Sequence, residues 1–173
     1  TDFKSPNFLK APEPLIQKNF SRIMSLKDGT KKMSKSDPSD FSRINLNDDK
    51  DSIVSKIKKA KTDNHPLPEN QEELKKRPEA ENLFGIYSSL NNQDLTKTLN
   101  EFSGRNFSEF KNKLSDLLIE KLSPVSQKMK NIQKDSKYID DVLKEGAERA
   151  NAIASKKVDE MKKIVGFWGN FNL

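Results

Sequence analysis

Cysteine is absent from the 173 residues, and histidine occurs once, at His65. The first absence excludes a disulfide scaffold, a thiolate-bound zinc and a thiol nucleophile. The second leaves no pair of histidines for a metal centre or a multi-histidine active site. No stretch of 18 apolar residues occurs, and mean hydropathy is −0.88, which excludes a membrane-spanning helix. No secretory leader is visible, and the chain opens at Thr1 rather than Met. The expectation is a cytoplasmic protein, or a piece of one, with no membrane partner.

What is present suffices for one domain or a little more. Ile, Leu, Val and Phe supply 42 residues, enough for a thin core in a highly charged chain. The net charge of +6 is unevenly placed. Residues 1–62 hold 14 Lys and Arg against 8 Asp and Glu, whereas residues 63–173 hold 18 of each. The whole excess therefore lies in the first third, which favours a phosphate-bearing partner there.

The hydrophobic pattern divides the chain. Residues 1–49 are rich in Pro, Ser, Asn and Asp, and Pro6, Pro12 and Pro14 exclude a long helix. A short apolar run, Ile23-Met24-Ser25-Leu26, precedes Asp28-Gly29, a turn signal; residues 30–40 read as a loop closed by Asp37-Pro38. The first helical pattern spans Asp51 to Lys61, with Ile53, Val54 and Ile57 on one face, lysines elsewhere, and Asp49 or Asp51 as N-cap. His65-Pro66-Leu67-Pro68 then opens a polar linker over 63–78.

From Glu79 the pattern is helical almost throughout. Leu83, Tyr87 and Leu90 repeat at helical spacing, as do Leu95, Leu99 and Phe102 after an Asn91-Asn92 break; Gly104 ends that segment. Asn106 and Glu109 resemble a capping box ahead of Phe107, Phe110, Leu114, Leu117 and Leu118, a core-type face. Ser123-Pro124 reads as a restart, and a last helix runs from about Ser136 to Val165, stopped by Gly166. The expected fold is mainly α: an irregular, loop-rich N-terminal segment followed by an antiparallel bundle of about five helices. A site is expected in the loop-rich third.

The strongest motif there is Lys32-Met33-Ser34-Lys35-Ser36. Taken alone, this reads equally well as a solvated lysine loop. Ser34 and Ser36 add hydroxyl and backbone donors, and Gly29 offers a hinge. The pentapeptide resembles the second signature of class I aminoacyl-tRNA synthetases. Its setting, Arg22-Ile23-Met24-Ser25-Leu26, Asp28 and Thr30 through Pro38, is similar to the bacterial-type tryptophanyl-tRNA synthetases in particular. The likeness continues at Ile57-Lys58-Lys59-Ala60-Lys61-Thr62-Asp63, at Asn82-Leu83 with Ile86-Tyr87, and at Glu145 through Asn151 with Ala154-Ser155, all in family order.

The resemblance implies a division into 1–62, the remainder of a class I catalytic domain with its signature loop at 29–38; 63–78, a linker; and 79–173, a helical domain of the anticodon-binding type. It implies ATP, with Mg²⁺, as the nucleotide. Lys32 and Lys35 would be the catalytic cations, and Ile23, Lys32, Met33, Ser34, Lys35 and Ser36 would be the ATP-binding residues, Ile23 and Met33 towards the adenine. It implies no protein-held metal. Tryptophan, tRNA(Trp) and a second copy of the full-length chain would be partners.

The family's first signature, with His and Gly at the start of a nucleotide-binding βαβ unit, has no match, since His65 lies downstream in a Pro-rich segment. The chain therefore resembles the C-terminal portion alone and is expected to be inactive by itself. Lys156, Lys157, Lys162 and Lys163 read as ordinary helix-end cations rather than a tRNA surface. Arg105 and Arg149 stay uncommitted, and Trp168 reads as a packing anchor. Two other readings remain open: a different class I synthetase with a helical anticodon-binding domain, and a small basic helical module for RNA or a partner.

Overall fold

The structure is a computed structural model describing residues 8–16 and 20–167. Trp168 lies outside the described residues. The chain divides into two compact units, Ile16–Lys130 and Thr1–Leu15 with Asn131–Leu173.

The unit of residues 16–130 begins with an antiparallel hairpin of β1 (Met24–Ser25) and β2 (Asp28–Lys32). The turn is made by Leu26 and Lys27, so Asp28-Gly29 opens the second strand instead of forming the turn. Leu26 decides this. Its side chain is buried, its N–H donates to the Ser42 carbonyl (2.9 Å), and its carbonyl accepts from Lys61 N–H (2.7 Å). A short 3₁₀ turn follows at Asp40–Ser42, then α1 (Lys50–Lys59), α2 (Gln71–Lys75), α3 (Pro78–Leu90), α4 (Leu95–Phe102) and α5 (Phe107–Gln133).

Local chemistry sets most boundaries. Asp49 caps α1 by accepting from Ser52 N–H, Asp94 caps α4 through Thr96 N–H, and Asn106 accepts from Glu109 N–H at the start of α5. Glu109 pairs with Arg105 rather than completing a reciprocal box. The core is built on rings. Phe110 stacks on Phe84 with centroids 4.6 Å apart, Phe102 meets Phe110 edge-on at 4.8 Å, and Tyr87 meets Phe102 edge-on at 5.1 Å.

Three readings of the pattern change here. The polar segment 63–78 is folded: it holds α2, capped by Asn70, and buries Leu67 and Leu74. Arg77 reaches back to Asp63 through two bonds of 2.8 and 2.6 Å and to the Pro66 carbonyl at 2.7 Å, tying both ends of the segment together. Pro124 does not restart a helix but lies within α5. It removes one intrahelical hydrogen bond, while buried Leu114 and Leu118 before it and the Ser126 hydroxyl bound to the Leu46 carbonyl after it hold both flanks. Lys56, expected among the solvated lysines of α1, is buried because Asp40 (2.7 Å) and Asp48 (2.6 Å) both pair with its ammonium. Burial pushes that ammonium's pKa down, but the two carboxylates outweigh it and the net direction is up.

The other unit holds α6 (Ser136–Val165). Asp135 caps it by accepting from Tyr138 N–H, and Gly166 ends it in the left-handed conformation (φ 75°), with its N–H turned to the carbonyls of Lys162 and Lys163. None of its residues is buried; Val142, Leu143, Ile153 and Val158 are all exposed. The spacing that suggests a bundle helix is present, but among the described residues its own unit offers no further complete helix to cover it.

Candidate functional site

The signature loop leaves the end of β2 and is held at both of its roots. On the strand side, Met24 is the partner of Lys32, and Met33 N–H donates to the Ile23 carbonyl at 3.0 Å. A two-stranded hairpin has little stability of its own, so its anchors matter. Asn82 on α3, 2% exposed, accepts from Met24 N–H and donates to the Met24 carbonyl, both at 2.8 Å. Gly29 lies against the start of α3, where an added Cβ would fall 2.5 Å from the Glu79 nitrogen and the Pro78 carbonyl carbon. Gly29 is therefore a close-packing position, and the hinge expected there is not what its surroundings require. Glu79 also pairs with Lys61 at 2.8 Å, and this bond is the main reason that its carboxyl sits below its ordinary range.

On the far side, Arg43 donates to the Asp37 carbonyl (2.9 Å) and pairs with Asp40 (3.0 Å), while Ser39 N–H donates to the Asp37 carboxylate (2.8 Å). Between these roots the Ser34 and Ser36 hydroxyls lie 2.9 Å apart, and Ser36 N–H donates to Ser34 Oγ at 3.3 Å.

The six residues singled out from the sequence fall on this one hairpin and loop. Lys32, Ser34, Lys35 and Ser36 are exposed; Met33 is half-buried and packs on the core; Ile23 is 46% exposed beside it. An ordinary core position for Ile23 is thus excluded. Among the described residues neither Lys32 nor Lys35 makes an ion pair, whereas the adjacent Lys31 is held by Asp28 at 3.1 Å. Two ammonium groups without a carboxylate partner, on the same hairpin and loop as two hydroxyls, suit a polyanion. Asp28 is the exception within the hairpin: the Thr30 hydroxyl and N–H hold its carboxyl near pKa 2.

The hydrophobic pattern gave Asn82 and Lys111 no role, Asn82 entering only through the family likeness, and both leave the same signal. Asn82 interrupts the run Ala80 to Tyr87 in which nearly every side chain is buried, and Lys111 sits on the face shared by Phe107, Phe110 and Leu114. Lys111 Nζ donates to the carbonyls of Ala60 (2.7 Å) and Lys58 (3.3 Å) and to Thr62 Oγ1 (3.1 Å), capping the C-terminus of α1. Its burial lowers its pKa. A cavity of about 400 Å³ is lined by residues 63–66 and 104–107, away from the signature loop in sequence. Of the basic groups near the end of α6, Lys157 pairs with Glu160 and Lys162 with Asp159.

The profile described as tRNA synthetases class I (W and Y) matches residues 2–123. A tryptophan–tRNA ligase of Caulobacter vibrioides is 48% identical over 168 residues, 97% of this chain and 49% of that protein. One from Agrobacterium fabrum is 54% identical over 155 residues, 90% of this chain and 44% of that protein. The tryptophanyl-tRNA synthetase structure from Mycoplasma pneumoniae superposes with a TM-score of 0.69 at 27% identity, over 88% of this chain and 47% of that one. That from Campylobacter jejuni gives 0.60 at 18% identity, over 95% and 49%, a likeness of fold. The chain spans about half the length of the curated relatives it matches. With its signature loop and hairpin inside the matched span, this chain belongs to the tRNA synthetases class I (W and Y).

Proposed function

We propose that this chain is the C-terminal portion of a tryptophan–tRNA ligase, and that its signature loop serves the activation of tryptophan by ATP. The observation that carries the reading is the pair of unpaired lysines, Lys32 and Lys35, with Ser34 and Ser36, on a loop anchored at both roots. In that reaction a carboxylate oxygen of tryptophan attacks the α-phosphorus, the bond to the bridging oxygen breaks, and pyrophosphate leaves. Negative charge grows on the departing phosphates, so cations placed there stabilise the transition state more than the ground state. Lys32 and Lys35 take that role; Ser34 and Ser36 donate to phosphate oxygens; Ile23 and Met33, adjacent across the hairpin, form the apolar contact for the adenine.

Mg²⁺ would arrive with the ATP phosphates, and no step here is assigned to it. The parent enzyme then transfers tryptophan to tRNA(Trp), acts as a homodimer and works in the cytoplasm; no described helix is long and apolar enough to cross a membrane. Residues 1–62 complete a catalytic domain begun elsewhere in the parent, 63–78 connect it onward, and 79–173 form the helical anticodon-binding part.

The test is tryptophan-dependent ATP–pyrophosphate exchange. The full-length parent is expected to catalyse it, and this chain alone is not. In the parent, Lys32→Ala and Lys35→Ala are each expected to lose roughly ten- to a thousandfold, mainly in kcat. Unchanged rates in both variants would overturn the assignment of the loop, and exchange by this chain alone would overturn the fragment reading.

A further inference from the structure

We infer that Asn82 is a positioning residue for the signature loop: its side-chain amide acts as the third strand of the hairpin and sets the register from which Lys32 and Met33 project. The amide plane carries one donor and one acceptor side by side, and Met24 presents the matching pair of backbone groups on the outer edge of β1. The two bonds, both 2.8 Å, use both. They also settle the orientation of the amide, since the reversed arrangement would place donor against donor and acceptor against acceptor.

Met24 is the residue on which register turns. It is the partner of Lys32, it follows Ile23, whose carbonyl receives Met33 N–H, and a bulge separates it from Ser25. A hairpin this short and irregular specifies its register weakly from within. Asn82 supplies the missing restraint from α3, a helix whose neighbouring Leu83 and Phe84 are themselves fully buried. Apolar side chains of similar size would fill the space and leave both Met24 groups without partners in a partly buried setting.

This inference rests on the proposed role of the loop for its catalytic arm, but its structural arm does not. The structural arm is hydrogen exchange on this chain. In Asn82→Ala the Met24 and Met33 amides are expected to lose about tenfold or more in protection, with α3 and α5 unchanged. Protection that stays as it was at the hairpin, or falls equally in α3 and α5, would overturn the positioning role.

Asn82→Asp provides a second, chemical handle. A protonated carboxyl reproduces the donor and acceptor of the amide, whereas a carboxylate cannot donate to the Met24 carbonyl, and burial raises the acid's pKa. Hairpin protection in this variant, relative to the unmodified chain at each pH, is expected to be near normal in mild acid and to fall as pH rises.

In the full-length parent, the ratio of Asn82→Asp to unmodified ATP–pyrophosphate exchange is expected to decline in the same direction, reaching a ten- to hundredfold loss with a raised KM for ATP. A ratio independent of pH would overturn the inference. A parent with no exchange activity at all would instead overturn the proposed function, leaving the hydrogen-exchange result to decide on Asn82.

Discussion

At the scale of single residues, the charges of the signature hairpin and of the segments after it divide into those spent within the fold and those that are free. Lys31 and Asp28 neutralise one another, Lys61 serves Glu79, and Lys56 is shared by Asp40 and Asp48. Lys32 and Lys35 have no such obligation among the described residues.

Asp28 offers a direct check on this local order. Its carboxyl, held by Thr30 near pKa 2 against an ordinary 3.8, favours the folded hairpin fully above the ordinary value. That contribution is lost as pH falls through about 2, because only the ionised form is favoured. The carboxyl carbon of Asp28, followed by NMR, is expected to titrate near 2, and Thr30→Val is expected to move the midpoint up towards 3.8. An unmoved midpoint would show that the Thr30 hydroxyl bond is not its cause, since valine keeps the backbone N–H.

At the scale of elements, the segments joined by polar side chains are those that sequence periodicity leaves unconnected. α1 carries apolar contacts through Ile53 and Ile57, but its C-terminal carbonyls are satisfied by a lysine from α5. Lys111→Met keeps the length and apolar stem of the side chain and removes three donors. It is expected to cost about 1–3 kcal/mol in denaturant unfolding, because the buried carbonyl at 60 and the partly buried one at 58 lose their partner. A cost near zero would mean that water replaces the ammonium.

The element boundaries were largely legible beforehand because caps act locally: Asp49, Asn106 and Gly166 each start or stop a helix through atoms a few residues away. Pro124 misled for the same reason. Its local signal is that of a helix start, and it is overridden by packing on both flanks.

At the scale of the whole molecule, the two units differ in how they are stabilised. Residues 16–130 close around Phe84, Phe102 and Phe110, all essentially inaccessible to solvent. α6 buries nothing and relies on its caps, its length and side-chain pairs three or four residues apart. Amides in α6 of this chain are therefore expected to exchange much faster than those of α3 and α5, on the time scale of local fraying rather than global unfolding. Equal protection across the three helices would show that α6 is covered in solution.

Composition and periodicity determined a mainly α chain with a basic, loop-rich first third, and the motif marked two lysines and two serines within five residues of one another. These depend on residue type and short-range spacing, which the sequence states directly. Only the tertiary structure decided how that signature is held. The hairpin in place of a loop, the close packing required of Gly29, the paired bonds of Asn82 to Met24 and the burial of Lys56 and Lys111 all join residues far apart in the chain. Whether a polar side chain is solvated or satisfied inside depends on partners that only folding brings within hydrogen-bond reach.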